Sequence, residues 1–406
     1  MVIAFENLFN RQYEGGANWL EISLYSLGLT PDPPRCLVLG ARTESLPETI
    51  REAPHVTAVP FQRSLPSKMR RVVAGVARRI TRRPWEDRGL TELASQYEID
   101  LWVGFTGFEG LSPRRALLVW YPDFQFRHLP AMFSDKEIRD RERQWNFVAE
   151  RANGIVAISE SVARDALSTH PQIIERLYVL PFPPLFTGSH LSMQPEAARE
   201  KYNLPNRFFL VCNQFWTHKN HKLVLGVLDL LRTQRVEPPV VVFTGRPYDY
   251  RNPDSFSEIL NYVNHHGLHD YCRFLGIVPR HEQLALIRAA AAVIHPSLFE
   301  GRGAIVEEAH VLGAQVLCSD LPVHRELHAP GTLFFPTDGV RELAELMQRQ
   351  YGPSRVSTQA IIEESDRRVR QYGLDFLRVC LAAAGSAHKP AAASVNASLQ
   401  VELNES

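Results

Sequence analysis

The sequence predicts an α/β protein built from two doubly wound parallel sheets, and three features of the chain point that way. Short apolar runs alternate with amphipathic helical stretches through both halves, the pattern of parallel strands joined by crossover helices. At 406 residues the chain is long enough to bury two cores. A stretch rich in Ser, Pro and Gly, from Leu185 to about Glu196, separates the halves and is the best linker candidate. The expected boundaries are residues 1–186 for the first domain and 198–355 for the second, then 356–384 for a closing helix and 385–406 for a tail.

In the first half, Val2–Phe5 is short and apolar and reads as a strand. Glu14-Gly15-Gly16 follows, ahead of a helix through Trp19 to Leu27. A strand, a glycine pair and a helix have the shape of a phosphate loop, and equally of an ordinary glycine turn. Cys36–Leu39, Val56–Val59, Leu101–Phe105, Ala116–Trp120 and Gly154–Ile158 read as further strands. Asp135–Arg151 reads as a helix, and Ser159-Glu-Ser161 starts another. Between the early strands, Pro66–Arg83 repeats Met69, Val72, Val73, Val76 and Ile80 at helical spacing. Lys68, Arg70, Arg71, Arg78, Arg79, Arg82 and Arg83 surround them, with no acid. Such a helix lies on an anionic membrane surface, each basic residue contributing about 1 kcal/mol there, or it packs on its own sheet with solvated arginines.

Tyr178–Pro184 closes the first half. The second opens with strand Phe208–Cys212 and alternates through helix Lys222–Thr233, strand Val240–Phe243, helix Ser255–Asn264, strand Arg273–Leu275, helix Glu282–Ala289 and strand Ala292–His295. Ligands of such sheets sit at the carboxyl ends of strands, where Asn213, Gly276, Glu300 and Ser319 fall. Thr358–Ala383 is the last long helical pattern, and from Gly385 onward no apolar period survives, so that stretch reads as a disordered tail.

Composition narrows the function classes. Formal net charge is zero, so nothing global favours nucleic acid as a partner. Five cysteines, odd in number and widely spread, fit reduced thiols in a cytoplasmic protein rather than a disulfide frame. The N-terminus lacks a basic region and meets Glu6 early, unlike a signal peptide, and no apolar run approaches a membrane span.

The most informative stretch runs from Pro296 to Gly313. Gly301 and Gly303 permit a tight turn after the strand, and a helix starting near Gly303 or Ala304 presents free N–H groups as an anion site. At about 100° per residue, Ile305, Ala309 and Leu312 share a face, Glu308 lies beside it and Glu307 points to water. Glu300 and Glu308, with seven residues between them, can then border one pocket. The plainer alternative is a surface helix with acids in its first turn, where the dipole favours them.

Glu-x7-Glu after Pro296-Ser-Leu-Phe resembles the donor-site signature of retaining glycosyltransferases of the GT-B fold, family 4. Gly313–Glu326 is similar to the segment that comes after this signature in the family, and Asn213–His221 resembles the same family's lysine-bearing loop. The resemblance covers both halves but is far more specific from residue 208 to 326. It implies two Rossmann-like domains facing a central cleft, with the closing helix crossing back to the first. It implies further that Glu300 faces the donor sugar, Glu308 binds the nucleotide ribose, Lys219 holds the diphosphate, and the Gly16 loop lies across the cleft. The donor substrate is a nucleotide-diphosphate sugar, and the acceptor a glycan or lipid-linked chain in cell-envelope polysaccharide synthesis.

The chain departs from the family in places. Tyr121–His128 resembles a loop that carries His-Asp in many relatives, whereas Pro122-Asp123 stands here, so Asp123 or His128 takes that role or serves a turn. Asn213 stands where an Arg often lies, with Arg246 as a candidate to compensate. Arg302 occupies a position that is often aromatic, and His218 either adds a donor or caps a turn. There is no Asp-x-Asp and no zinc spacing, so no metal and no cofactor are expected. Two other functions fit the same resemblance: a nucleotide-sugar 2-epimerase, or a non-catalytic partner that retains the nucleotide site.

Overall fold

The computed structural model describes residues 1–9, 14–61, 86–105, 108 and 110–385. The basic stretch 66–83 and the tail from residue 386 lie outside them. The described chain divides into two compact units: Met1–Phe124 with Ser134–Pro183 and residues from Arg368 onward, and Gln125–Phe133 with Pro184–Arg367.

The first unit is built on a parallel sheet of seven strands: β1 (Val2–Glu6), β2 (Arg35–Leu39), β3 (Val56–Val59), β4 (Leu101–Gly104), β5 (Ala116–Tyr121), β6 (Gly154–Ala157) and β7 (Leu177–Val179), in the order β3-β2-β1-β4-β5-β6-β7. Helix Asp135–Arg151 begins where Ser134 accepts from the Glu137 N–H while Glu137 reaches back, a capping box that satisfies two otherwise free donors. Helix Glu14–Leu27 starts earlier than expected. Gly16 is therefore a buried residue of its first turn, not part of a loop ahead of it. Trp19, fully buried and stacked on Trp120 at 4.7 Å, anchors that turn against the sheet and outweighs the poor helix propensity of two glycines. The end of helix Thr358–Ala383 belongs to this unit. Phe376 packs on Phe5 and Trp19, and Gly373 lies so close to the Ser26 carbonyl that a Cβ would sit 2.3 Å from its oxygen.

The second unit carries a parallel sheet of six strands: β8 (Phe208–Cys212), β9 (Val240–Thr244), β10 (Cys272–Gly276), β11 (Ala292–His295), β12 (Val316–Ser319) and β13 (Leu333–Phe335), in the order β10-β9-β8-β11-β12-β13. All five residues of β8 are buried. Phe209 and Val211 face one apolar cluster, and Phe208, Leu210 and Cys212 face the other, the two-residue alternation of a strand covered on both sides. Each such side chain contributes roughly 1.5–3 kcal/mol through burial. Leu185–Glu196, expected as a linker, instead packs into this unit: Phe186 and Leu191 are buried, and helix Pro195–Lys201 begins within it. Both sheets are doubly wound and Rossmann-like, as the alternation of elements predicts.

Candidate functional site

Strand order in the second sheet reverses between β8 and β11, so the loops leaving these two strands diverge and open a crevice at their carboxyl ends. The loop after β8 runs through a single 3-10 turn, Thr217–Lys219, and the loop after β11 spans Pro296–Gly303. They are stitched together where the Leu298 N–H donates to the His218 carbonyl at 2.8 Å. This brings Lys219 Nζ to 2.6 Å from Glu300 Oε1, with only 15% and 11% of the two side chains exposed. Burial pushes the Glu300 carboxyl up, but the Lys219 ammonium and neighbouring histidines outweigh it and hold the group well below the usual range.

A ring of histidines surrounds the pair. His295, on β11, places Nε2 at 3.1 Å from the same Glu300 oxygen and Nδ1 at 3.4 Å from Asn213 Nδ2. Asn213 is thus turned onto a buried imidazole. His221 stacks on Phe215 at 4.4 Å, and burial followed by Lys219 lowers its pKa to about 3. His324 Nδ1 donates to the Ser319 carbonyl at 2.8 Å, and burial followed by His295 lowers its pKa to about 4.

These neutral rings predict acid lability. An unfolded histidine takes up a proton near pH 6.5, whereas His221 and His324 refuse it until about 3 and about 4. Their contribution is therefore complete above pH 6.5 and is lost as pH falls towards the folded values, at about 1.4 kcal/mol per pH unit for each ring. Urea unfolding between pH 7 and pH 4.5 measures the slope, and His324→Asn should flatten it by one ring's share. An unchanged slope in that variant would contradict the assignment.

Arg251, which no motif singles out, reaches the Lys219 loop. Its Nη2 lies 3.3 Å from His218 Nδ1, and Nη1 donates to Gln125 Oε1 at 3.0 Å. Buried Asp249 accepts from the Arg251 N–H and from the Thr217 N–H, fixing both segments. Arg251 also lies over the rings of Phe133 and Trp216. Arg246, the expected compensating cation, is exposed; its carbonyl accepts from the Phe215 N–H. His218 is buried with its Nδ1 facing Arg251, and burial and then Lys219 hold it well below its ordinary pKa.

Helix Ala304–Val311 begins behind Gly303, which is left-handed at φ +84° and closely faced by His324. Val306, Ala309 and Leu312 form its buried face. Glu308 receives a two-pronged grip from Arg280, at 2.9 and 2.7 Å. The expectation that Glu307 points to water is corrected: Arg302 folds back from the preceding loop and pairs with it at 2.7 Å, leaving each side chain 12% exposed. Arg302 is thereby committed to the first turn of the helix. Gly301 is half-buried. Gly276 ends β10 at φ +66° with open space where a side chain would stand. His128 is exposed, its ring 5.0 Å from Phe299, the neighbour of Glu300. Asp123 is half-buried in the first unit. Among the described residues no group of three His, Cys, Asp or Glu side chains is arranged to hold a metal ion.

Residues 194–351 match the model of the family described as glycosyl transferases group 1. Over 235 residues, 54% of this chain, the sequence is 23% identical to the serotype-specific mannosyltransferase WbdA of Escherichia coli, and it spans about 28% of that relative's length. The fold is similar to Anabaena HepE in complex with UDP and glucose, at TM-score 0.61 and 18% identity, covering 92% of this chain and 98% of that one. It is similar also to a sucrose-phosphate synthase from Thermosynechococcus elongatus, at TM-score 0.62 and 15% identity over the whole of both chains. The chain therefore has the GT-B fold, and Lys219, Glu300, Glu308 and Arg280 all lie within the segment that matches the glycosyl transferases group 1 model.

Proposed function

We propose that the chain is a retaining hexosyltransferase, moving a hexose from a nucleotide-diphosphate sugar to a glycan or lipid-linked acceptor in cell-envelope polysaccharide synthesis. The observation that carries this reading is the buried Lys219–Glu300 pair at the switch point of the second sheet. A buried ion pair adds little net stability over an apolar pair, so its presence calls for a chemical use. Lys219 and the free N–H groups at the start of helix Ala304–Val311 take up the charge of the departing diphosphate, without a metal ion. Glu300 then faces the sugar, and Glu308, presented by Arg280, accepts from the ribose hydroxyls. The bond from the anomeric carbon to the phosphate breaks as the acceptor oxygen bonds on the same face, and the leaving phosphate takes the acceptor proton. The match to the mannosyltransferase WbdA and the likeness to HepE with UDP and glucose support the donor class.

A thermal-shift panel of nucleotide sugars, followed by product analysis with acceptor in EDTA, tests this reading. A donor at 100 times its dissociation constant should add about 2.7 kcal/mol of stability. Transfer with retained anomeric configuration is expected. Isomerised donor without acceptor would identify an epimerase, and binding without turnover a non-catalytic partner.

Glu308→Ala should weaken nucleotide binding by roughly 10- to 100-fold, the loss of a charge-assisted hydrogen bond. Glu307→Ala should leave binding nearly unchanged, since Glu307 is spent on Arg302. Titration with free nucleotide decides, and a larger loss at position 307 would reverse the roles.

The same reading seats residues 66–83 on the inner face of the cell membrane, with seven basic residues against anionic lipid. The protein should sediment with anionic vesicles at low salt and leave them as salt rises. Changing Arg78, Arg79, Arg82 and Arg83 to Gln should abolish this while sparing transfer to a soluble acceptor. Wild-type protein that stays in the supernatant at low salt would remove the membrane from the proposal.

A further inference from the structure

His295 ends β11 at 1% exposure, and its two ring nitrogens face two different polar groups. Nδ1 lies 3.4 Å from Asn213 Nδ2, and Nε2 lies 3.1 Å from Glu300 Oε1. Burial lowers the pKa against the pull of Glu300, so the ring is neutral and carries one proton. A proton on Nδ1 would set a bare Nε2 lone pair against a carboxylate and point N–H at the amide N–H groups of Asn213. A proton on Nε2 turns both contacts into donor–acceptor pairs.

We infer that His295 is a positioning residue for Glu300: Asn213 donates to Nδ1, the proton therefore sits on Nε2, and this N–H together with Lys219 holds Oε1, leaving Oε2 for the sugar. The inference rests on the proposed role of Glu300. The Nε2–H is not in line with Oε1, so it acts as a close dipole on the carboxylate rather than as a full hydrogen bond. Asn213, expected to meet the donor, works instead through His295. The arrangement also explains the buried polar stack from β8 to β11, which packing alone would fill with apolar side chains. The charged and titratable groups that face the ring are Glu300 and Lys219 on the two loops, His221 on the helix after β8, and His324, whose ring lies 5.0 Å away.

Two isosteric substitutions separate positioning from packing. The amide nitrogen of glutamine reaches the place of Nε2, whereas that of asparagine reaches only the place of Nδ1. His295→Gln should retain most of the turnover, and His295→Asn should lose on the order of 10²-fold in kcat, the cost of a misplaced group, with donor KM moving far less. Asn213→Asp should set a carboxylate on each side of the ring, raise its pKa and add an ionisation to the pH profile of kcat. Nitrogen-15 NMR of the full chain, assigned by subtracting the His295→Gln spectrum, reads the tautomer without any substrate. A proton found on Nδ1, or equal losses in the Gln and Asn variants, would overturn the inference. An Nε2–H tautomer in a chain that transfers no sugar would keep the geometry and overturn the proposed function instead.

Discussion

Lys219→Ala lowers kcat by about 10²- to 10³-fold while changing donor affinity far less. The lysine lies at the carboxyl end of the sheet, its ammonium 2.6 Å from Glu300 and largely shielded from water. In such a setting a fixed positive charge acts on the charge that develops as the diphosphate leaves, more than on the bound donor. Loss of one such group removes about 2.7–4 kcal/mol of transition-state stabilisation. The substitution also strands the Glu300 carboxylate in a buried place, which by itself destabilises the fold by about 3–5 kcal/mol. The two effects come apart in a second variant. Lys219→Ala with Glu300→Gln should recover stability in urea unfolding yet turn over far more slowly than Glu300→Gln alone, whereas a purely structural lysine would leave the double variant as fast as Glu300→Gln. Unchanged kcat in Lys219→Ala would remove it from the mechanism.

How much could be read from the chain depends on how local the cause of each feature is. β8 and β11 are continuous apolar runs, and the closing helix carries a long 3.6-residue period, so their positions depend on neighbours in sequence. Asn213 and Glu300 were legible as residues that follow such strands, whereas Lys219 stood out only through the resemblance of Asn213–His221 to the family's lysine-bearing loop. The partners were not legible. Arg280 meets Glu308 across 28 residues, Asn213 meets His295 across 82, and Arg251 meets Gln125 across 126. No periodicity encodes contacts made through the fold. Glu307 failed for a related reason: a helical wheel gives its angle but not the loop residue, Arg302, that folds over it. The linker expectation failed because composition weighs Ser, Pro and Gly together, whereas two apolar residues, Phe186 and Leu191, decide where that stretch packs.

Gly245→Ala is expected to be among the most damaging single changes in the second unit. Gly245 follows β9 at φ +132°, a conformation that L residues rarely adopt. A Cβ there would stand 2.2 Å from the Asn213 carbonyl oxygen, 2.7 Å from its carbon and 2.9 Å from the Gln214 nitrogen. All three are backbone atoms, so no rotamer relieves the clash. Strain of about 1–3 kcal/mol and overpacking of about 1–3 kcal/mol together predict a loss of roughly 2–6 kcal/mol. The segment that must give way is the start of the Lys219 loop, so folded variant protein should also lose turnover. Gly276→Ala is the control. It ends the adjacent strand at φ +66° with nothing within 4 Å of its Cβ position, so only the left-handed strain of about 1–2 kcal/mol applies. Paired urea titrations should rank Gly245→Ala well below Gly276→Ala in stability. Equal losses would mean that the Asn213 backbone yields freely, and that the loop bearing Lys219 is not held from beneath by β9.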